Sequence, residues 1–220
     1  MNILSGHTAL SVCFLSMLLL VGGRLSAQKS LTATQILDKT SAAMRCDGGL
    51  TATFSTHQEG GLPSSVNDKV YGSISIMGER YIIRTPSVST WYNGKKQWTL
   101  VEENREVSVT TPTAEELQVS SPTAFLDMYK SGFNLSAKST MLGKKTVWEV
   151  SLRPKKKGQE PSLIIVSIDK EKYYPLQLRI RNEGEWTSIS TTGFKAHAGL
   201  SAKDFSFPAK DYPGYEILEY

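Results

Sequence analysis

Residues 89–101 read Ser-Thr-Trp-Tyr-Asn-Gly-Lys-Lys-Gln-Trp-Thr-Leu-Val, and this stretch decides the class of the fold. Asn-Gly between two runs of alternating side chains signals a hairpin, because both residues accept left-handed backbone. The reading is a two-residue turn at Asn93-Gly94 that joins a strand at Ser89–Tyr92 to one at Lys95–Val101. The same period of two continues outward on both sides. Upstream, Val70, Gly72, Ile74 and Ile76 alternate with Tyr71, Ser73 and Ser75, and Gly78-Glu79 turns the chain into a strand around Tyr81–Arg84. Before them, Leu50, Ala52 and Phe54 alternate with Thr51, Thr53 and Ser55. Downstream, Glu102–Arg105 form a longer hairpin into Val107 and Val109.

After a helical interlude the strands return. Phe133–Met141 and Thr146–Arg153 meet at Gly143-Lys144, and Trp148, Val150 and Leu152 alternate with Glu149, Ser151 and Arg153. Leu163–Ile168 is nearly all apolar, which predicts a strand covered on both faces. Leu176–Ile180, Trp186–Phe194 and a short strand at Tyr215–Leu218 complete the set. Three helical pieces interrupt it. Thr32 and Gln35 have capping-box spacing before a helix that Gly48-Gly49 stops. Thr113 and Glu116 make a second box, and Ser121-Pro122 predicts an N-cap for a helix carrying Phe125, Leu126, Met128 and Tyr129. Ser201 to Asp204 reads as a capped single turn. About eleven short antiparallel strands and no strand–helix alternation exclude a nucleotide-binding α/β fold.

The apolar run Ala9–Val21 ends in Gly22-Gly23-Arg24 and the small-residue stretch Leu25-Ser26-Ala27. At about 13 residues it is too short to span a bilayer, and it reads as a signal peptide over 1–27, although no Lys or Arg precedes it. The expectation is one exported, periplasmic domain over 28–220. Its 24 basic and 21 acidic side chains leave about +3, spread along the chain, which argues against nucleic acid. Cys46 alone remains outside the signal peptide, so no internal disulfide is possible and an apolar core must hold the fold.

Catalytic patterns are missing. Outside the signal segment the only histidines are His57 and His197, and no HxxxH, CxxC, GxSxG or phosphate-cradling glycine loop occurs. Cys46 beside Arg45 is read as a small residue closing a helix. Lys155-Lys156-Lys157, between Pro154 and Gly158, is read as a solvated loop, with a docking patch for an acidic partner or lipid head groups as the alternative. No enzyme, metal or cofactor is expected.

The stretches Gly72-Ser-Ile-Ser-Ile-Met-Gly-Glu-Arg-Tyr81 and Trp91-Tyr-Asn-Gly-Lys-Lys-Gln-Trp98 resemble the LolA family of periplasmic lipoprotein carriers. There a "G-x-hydrophobic" strand precedes a "(D/N)-G-K-x-x-W" hairpin. Thr51-Ala-Thr-Phe-Ser55, the helical insertion at Ser121–Gly132 and the Phe205-Ser-Phe-Pro208 ending fall in the same order. The resemblance implies a mainly β fold: a curved, incompletely closed antiparallel half-barrel covered by short helices. It also implies a monomer that carries acylated lipoproteins between an inner-membrane lipoprotein-releasing transporter and an outer-membrane acceptor. The rival reading is a periplasmic lipoprotein- or lipid-sensing module acting through a protein partner.

An acyl-chain pocket is then expected along Leu50, Phe54, Ile74, Ile76, Trp98, Leu100, Trp148, Val150, Leu152, Ile164 and Val166, under a lid bearing Phe125 and Met128. Familiar members of the family gate such a pocket with an arginine just before a proline. Counted from Gly72, that position is Gly78, followed by Glu79. Two expectations follow: a lid held mainly by apolar contacts, or a relocated latch at Arg80 or Arg84.

Overall fold

The computed structural model describes residues 30–59, 69–122 and 124–220, with backbone alone for 118–120, 125 and 126. The expected signal segment 1–27 and most of the loop after Glu59 lie outside the described residues. The chain forms α1 (Ala33–Met44), then β1 (Leu50–Glu59), β2 (Val70–Met77), β3 (Arg80–Arg84), β4 (Val88–Tyr92), β5 (Gln97–Val101) and β6 (Glu106–Thr110). A helical insertion, α2 (Ala114–Ser120) and α3 (Phe125–Met128), precedes β7 (Phe133–Leu142), β8 (Lys145–Pro154), β9 (Leu163–Asp169), β10 (Pro175–Asn182), β11 (Glu185–Ala196) and β12 (Glu216–Glu219).

All twelve strands form one sheet in the order β12-β6-β5-β4-β3-β2-β1-β11-β10-β9-β8-β7. Two meanders, β1–β6 and β7–β11, are joined where β1 pairs with β11. The result is mainly β, an antiparallel half-barrel that stops at β12 and β7 without closing. At the central seam the register shifts between Thr51 and Thr53, leaving β11 one extra residue around Gly193 at φ 64°. Such a bulge bends the strand and increases its twist.

Three local expectations are corrected. Tyr92 pairs with Gln97, so the hairpin loop holds four residues, not two. A type I′ turn needs left-handed backbone at both central residues, and only Gly94 adopts it here. Asn93 instead uses its side-chain oxygen to accept from Lys95 N and Lys96 N, each at 2.9 Å. Ser121 does not start a helix: it is the C-cap of α2, and α3 is a single turn with Ala124 at its N-cap. Finally, β12 lies parallel to β6, the one pairing in the described sheet that is not antiparallel.

The predicted capping boxes form at Thr32/Gln35, Thr113/Glu116 and Ser201/Asp204. β9 is buried on nearly every residue, as its apolar run requires.

Register assigns the core to both faces. On one face, Leu50 pairs with Ile76, Ile76 with Tyr81 and Tyr81 with Tyr92. These four pack with Met44 of α1. In the second meander, Val150 pairs with Val166 and Leu152 with Ile164, under Ile36 and Leu37 of α1 and Tyr129 beyond α3. The opposite face of β3–β6 carries Ile82, Trp91, Leu100 and Val107, covered by Phe205, with Phe207, Tyr212 and Tyr215 around it.

Candidate ligand-binding face

A carrier of apolar chains needs accessible apolar surface, not a reacting group. On the helix-bearing face the two buried clusters are linked by half-buried Phe54, Ile74, Ile83, Leu178 and Ile180. These residues follow in register: Ile74 opposite Ile83, and Leu178 and Ile180 opposite Val166 and Ile164. Phe54 faces Gly72 across β1 and β2. A Cβ on Gly72 would stand 2.4 Å from the Phe54 ring and 2.4 Å from the Arg84 carbonyl oxygen, so only glycine lets the ring lie there. This explains the glycine of the motif.

The expected pocket residues divide. Val150, Leu152, Ile164 and Val166 are buried in the α1-covered cluster, with Trp148 and Met128 packed at its edge. Leu50 and Ile76 are buried in the neighbouring cluster, with Ile74 beside them. Phe54 is half-buried between. Trp98 and Leu100 stand apart, because their partners Trp91 and Val107 belong to the opposite face, under the C-terminal segment. They cannot line a cavity shared with Val150. Alternation carries them there, since Ile82 pairs with Trp91 and Trp91 with Trp98. The Phe125 side chain lies outside the described residues.

The same alternation corrects the arginine latch. Arg84 shares a face with Ile82 and places its guanidinium 5.4 Å from the centroid of the Trp91 ring, away from the helices. Arg80, four residues before it on the strand, projects to that same face. Neither reaches the helical insertion.

Another polar link does. Arg45, the C-cap of α1, donates to Asp127 of α3 and to Ser41, and Lys130 also donates to Asp127. Tyr129, buried beside α3, donates from its hydroxyl to Asp38 of α1 at 2.5 Å. The helices are therefore not joined by apolar contacts alone. The Asp127 carboxyl is held below its ordinary value, chiefly by the hydrogen bond from Lys130, with the Arg45 charge adding and burial opposing. Burial, then the bond to Asp38, push the Tyr129 hydroxyl up. The sequence offers no pairing signal between groups so far apart.

The rest of the face is chemically quiet. No group of His, Cys, Asp and Glu among the described residues is placed to hold a metal ion. Cys46 is half-buried, and its thiol donates to the Gly49 carbonyl at 3.2 Å. No described helix is long and apolar enough to cross a membrane.

Residues 24–185 match the family described as outer membrane lipoprotein carrier protein LolA. The chain belongs to the LolA family. No curated protein matches it by sequence. Among solved structures, an uncharacterized conserved protein of Thermus thermophilus is 12% identical over 86% of this chain and 99% of its own, with a TM-score of 0.59. That likeness is one of fold. A LolA superfamily protein of Nitrosomonas europaea is 9% identical over 82% of this chain and 100% of its own, at a TM-score of 0.44. Lipoprotein LppX of Mycobacterium tuberculosis is 10% identical over 77% and 97%, at 0.46. The family accounts for the open sheet and its short helices. Gly78 stands where the resemblance implied a gating arginine, and the helices here are tied to each other through Arg45–Asp127 and Tyr129–Asp38.

Proposed function

We propose that this LolA-family protein is a periplasmic carrier that shields the acyl chains of lipoproteins and delivers them towards the outer membrane. In this reading residues 1–27 direct export, and 28–220 act as one carrier domain. The observation that supports it is the half-buried apolar band from Ile74 and Phe54 to Leu178 and Ile180, continuous with the clusters beneath α1. Each methylene taken from water contributes about 0.8 kcal/mol, so an acyl chain of about 14 carbons is held without hydrogen-bonding specificity. Uptake and release need α1 and α3 to separate, which breaks the Arg45–Asp127 and Tyr129–Asp38 bonds. Cargo is received from an inner-membrane releasing transporter and passed to an outer-membrane acceptor.

The test is to purify the protein from its native envelope and weigh what is bound. Triacylated peptides, displaced stoichiometrically by a fluorescent fatty-acid probe, support the carrier. A protein partner held without any acyl species, and no probe uptake, would replace it with a sensor module.

A further inference from the structure

One end of the sheet carries lysines and aromatic rings in a pattern that the apolar face does not require. The β7–β8 turn at Gly143-Lys144 and the β9–β10 turn at 170–174 lie at this end, since the strands between them are antiparallel. Lys170 places its ammonium 4.2 Å from the centroid of the Trp148 ring and donates to Ser139 Oγ at 2.5 Å. Lys39 of α1 stands 5.1 Å from the centroid of the Tyr173 ring. Tyr173 holds a left-handed backbone at φ 57°, a conformation rare for a bulky residue. Both rings also pack against the α1-covered apolar cluster, so the rim is continuous with it.

The charge balance at this rim is one-sided. The two turns and α1 bring Lys39, Lys144, Lys145, Lys170 and Lys172 together with Asp169 and Glu171, while the neighbouring Asp38 accepts from Tyr129 and Glu149 pairs with Lys138. Asp169 is already committed: it pairs with Lys145 and accepts from the backbone N–H of Glu171 and Lys172 at 2.8 Å each. Lys144 and Lys172 are exposed and form no ion pair among the described residues. Met141 beside them is 56% exposed. Flexible cations, amphipathic rings and an exposed thioether on one edge match the interface of an anionic bilayer, where ammonium groups meet phosphates and rings sit at headgroup depth.

We propose that this rim is a docking surface for an anionic phospholipid bilayer, bringing the edge of the α1-covered apolar cluster against the membrane. The proposal deepens the carrier reading and adds a membrane contact made by the protein itself. The Lys155–Lys157 loop supplies an internal control. It is equally basic but lies at the far end of β8, about 30 Å away, without a cation–ring pair.

The experiment is flotation of the mature protein with vesicles of phosphatidylcholine containing phosphatidylglycerol, at low salt, with phosphatidylcholine alone as the blank. Binding should appear only with the anionic lipid. Lys144→Gln with Lys172→Gln should weaken it about 25-fold, roughly fivefold per lysine. Lys155→Gln with Lys156→Gln should leave it unchanged. Equal loss in both double variants means diffuse charge attraction and overturns the proposal, as does no binding at all. Displacement by inorganic phosphate at constant ionic strength makes the rim an anion site and overturns it too. Uptake of the fatty-acid probe, measured in parallel on every variant, keeps the two readings separate: intact uptake without flotation sinks the docking surface alone.

Discussion

Arg45, at the end of the first helix, donates to the carboxylate of Asp127, 82 positions later in the chain, and so ties the two helical pieces that lie over one apolar face. The pair is partly exposed, at 37% and 47% of the two side chains, so its worth in stability is small. Its worth in holding the helices together is mechanical.

Arg45→Leu should therefore speed release of a bound fatty-acid probe by up to about fivefold while costing less than about 1 kcal/mol. In a chain of this size that is a fall in Tm of less than about 4 °C. Stopped-flow release and a thermal melt on the same sample check it. Unchanged release rules out a gating role for the pair.

The pH dependence has a definite sign. Asp127 titrates below its ordinary value of 3.8 in the folded protein, mainly because Lys130 donates to it. The stabilisation is complete above that value and is lost as pH falls through the lower folded one. Probe release should quicken as pH drops below about 4. Asp127→Asn should abolish that acceleration, and the release profile of the two proteins between pH 6 and pH 3 decides the matter.

Ile76 and Val150 are 1% and 0% exposed, within packed clusters, whereas Ile180 is half-buried. Ile76→Asp and Val150→Asp should unfold the domain, since an unpaired buried carboxylate costs several kcal/mol. Ile180→Asp should fold and bind the probe more weakly. Circular dichroism and a probe titration separate these outcomes; an Ile180→Asp protein with normal affinity removes the band around β10 from the binding face.

Leu100 is wholly buried, but on the face covered by Phe205. Leu100→Ala should cost about 2–5 kcal/mol in urea unfolding. Probe affinity of the folded fraction should stay as it was. A matched loss of affinity at unchanged fold would place Leu100 on the binding face after all.

Gly72→Ala pushes a methyl into both the Phe54 ring and the Arg84 backbone oxygen, each 2.4 Å from the new Cβ. Overpacking of this kind costs about 1–3 kcal/mol. Because one of the two obstacles is backbone, adding Phe54→Leu should recover only part of the loss. Full recovery by the double variant would locate the whole conflict in the ring.

Alternation of side chains was enough to find nearly every strand, because a half-buried strand writes its two faces into successive residues. Capping boxes were legible for the same reason: Thr32 with Gln35 and Thr113 with Glu116 are contacts three residues apart, settled within one turn. The single-residue identity of Gly72 was visible, though not the ring it makes room for. What alternation leaves open is which face of each strand meets which layer. Trp98 and Leu100 were expected among the pocket residues. The pairing of Ile82 with Trp91 and of Trp91 with Trp98 puts them on the side that the C-terminal segment covers. Arg80 and Arg84 went with them.

The sequence by itself determined the class of the fold, the succession of its strands along the chain and the apolar character of its faces, since these arise from local periodicity and turn chemistry. Only the tertiary structure decided how those faces are shared between two covering layers, why β12 returns parallel to β6, and which charges meet. Arg45 and Asp127, like Asp38 and Tyr129, are joined across six strands of intervening chain. No local pattern encodes a bond between groups that become neighbours only after the sheet has brought the helical insertion back over the first helix.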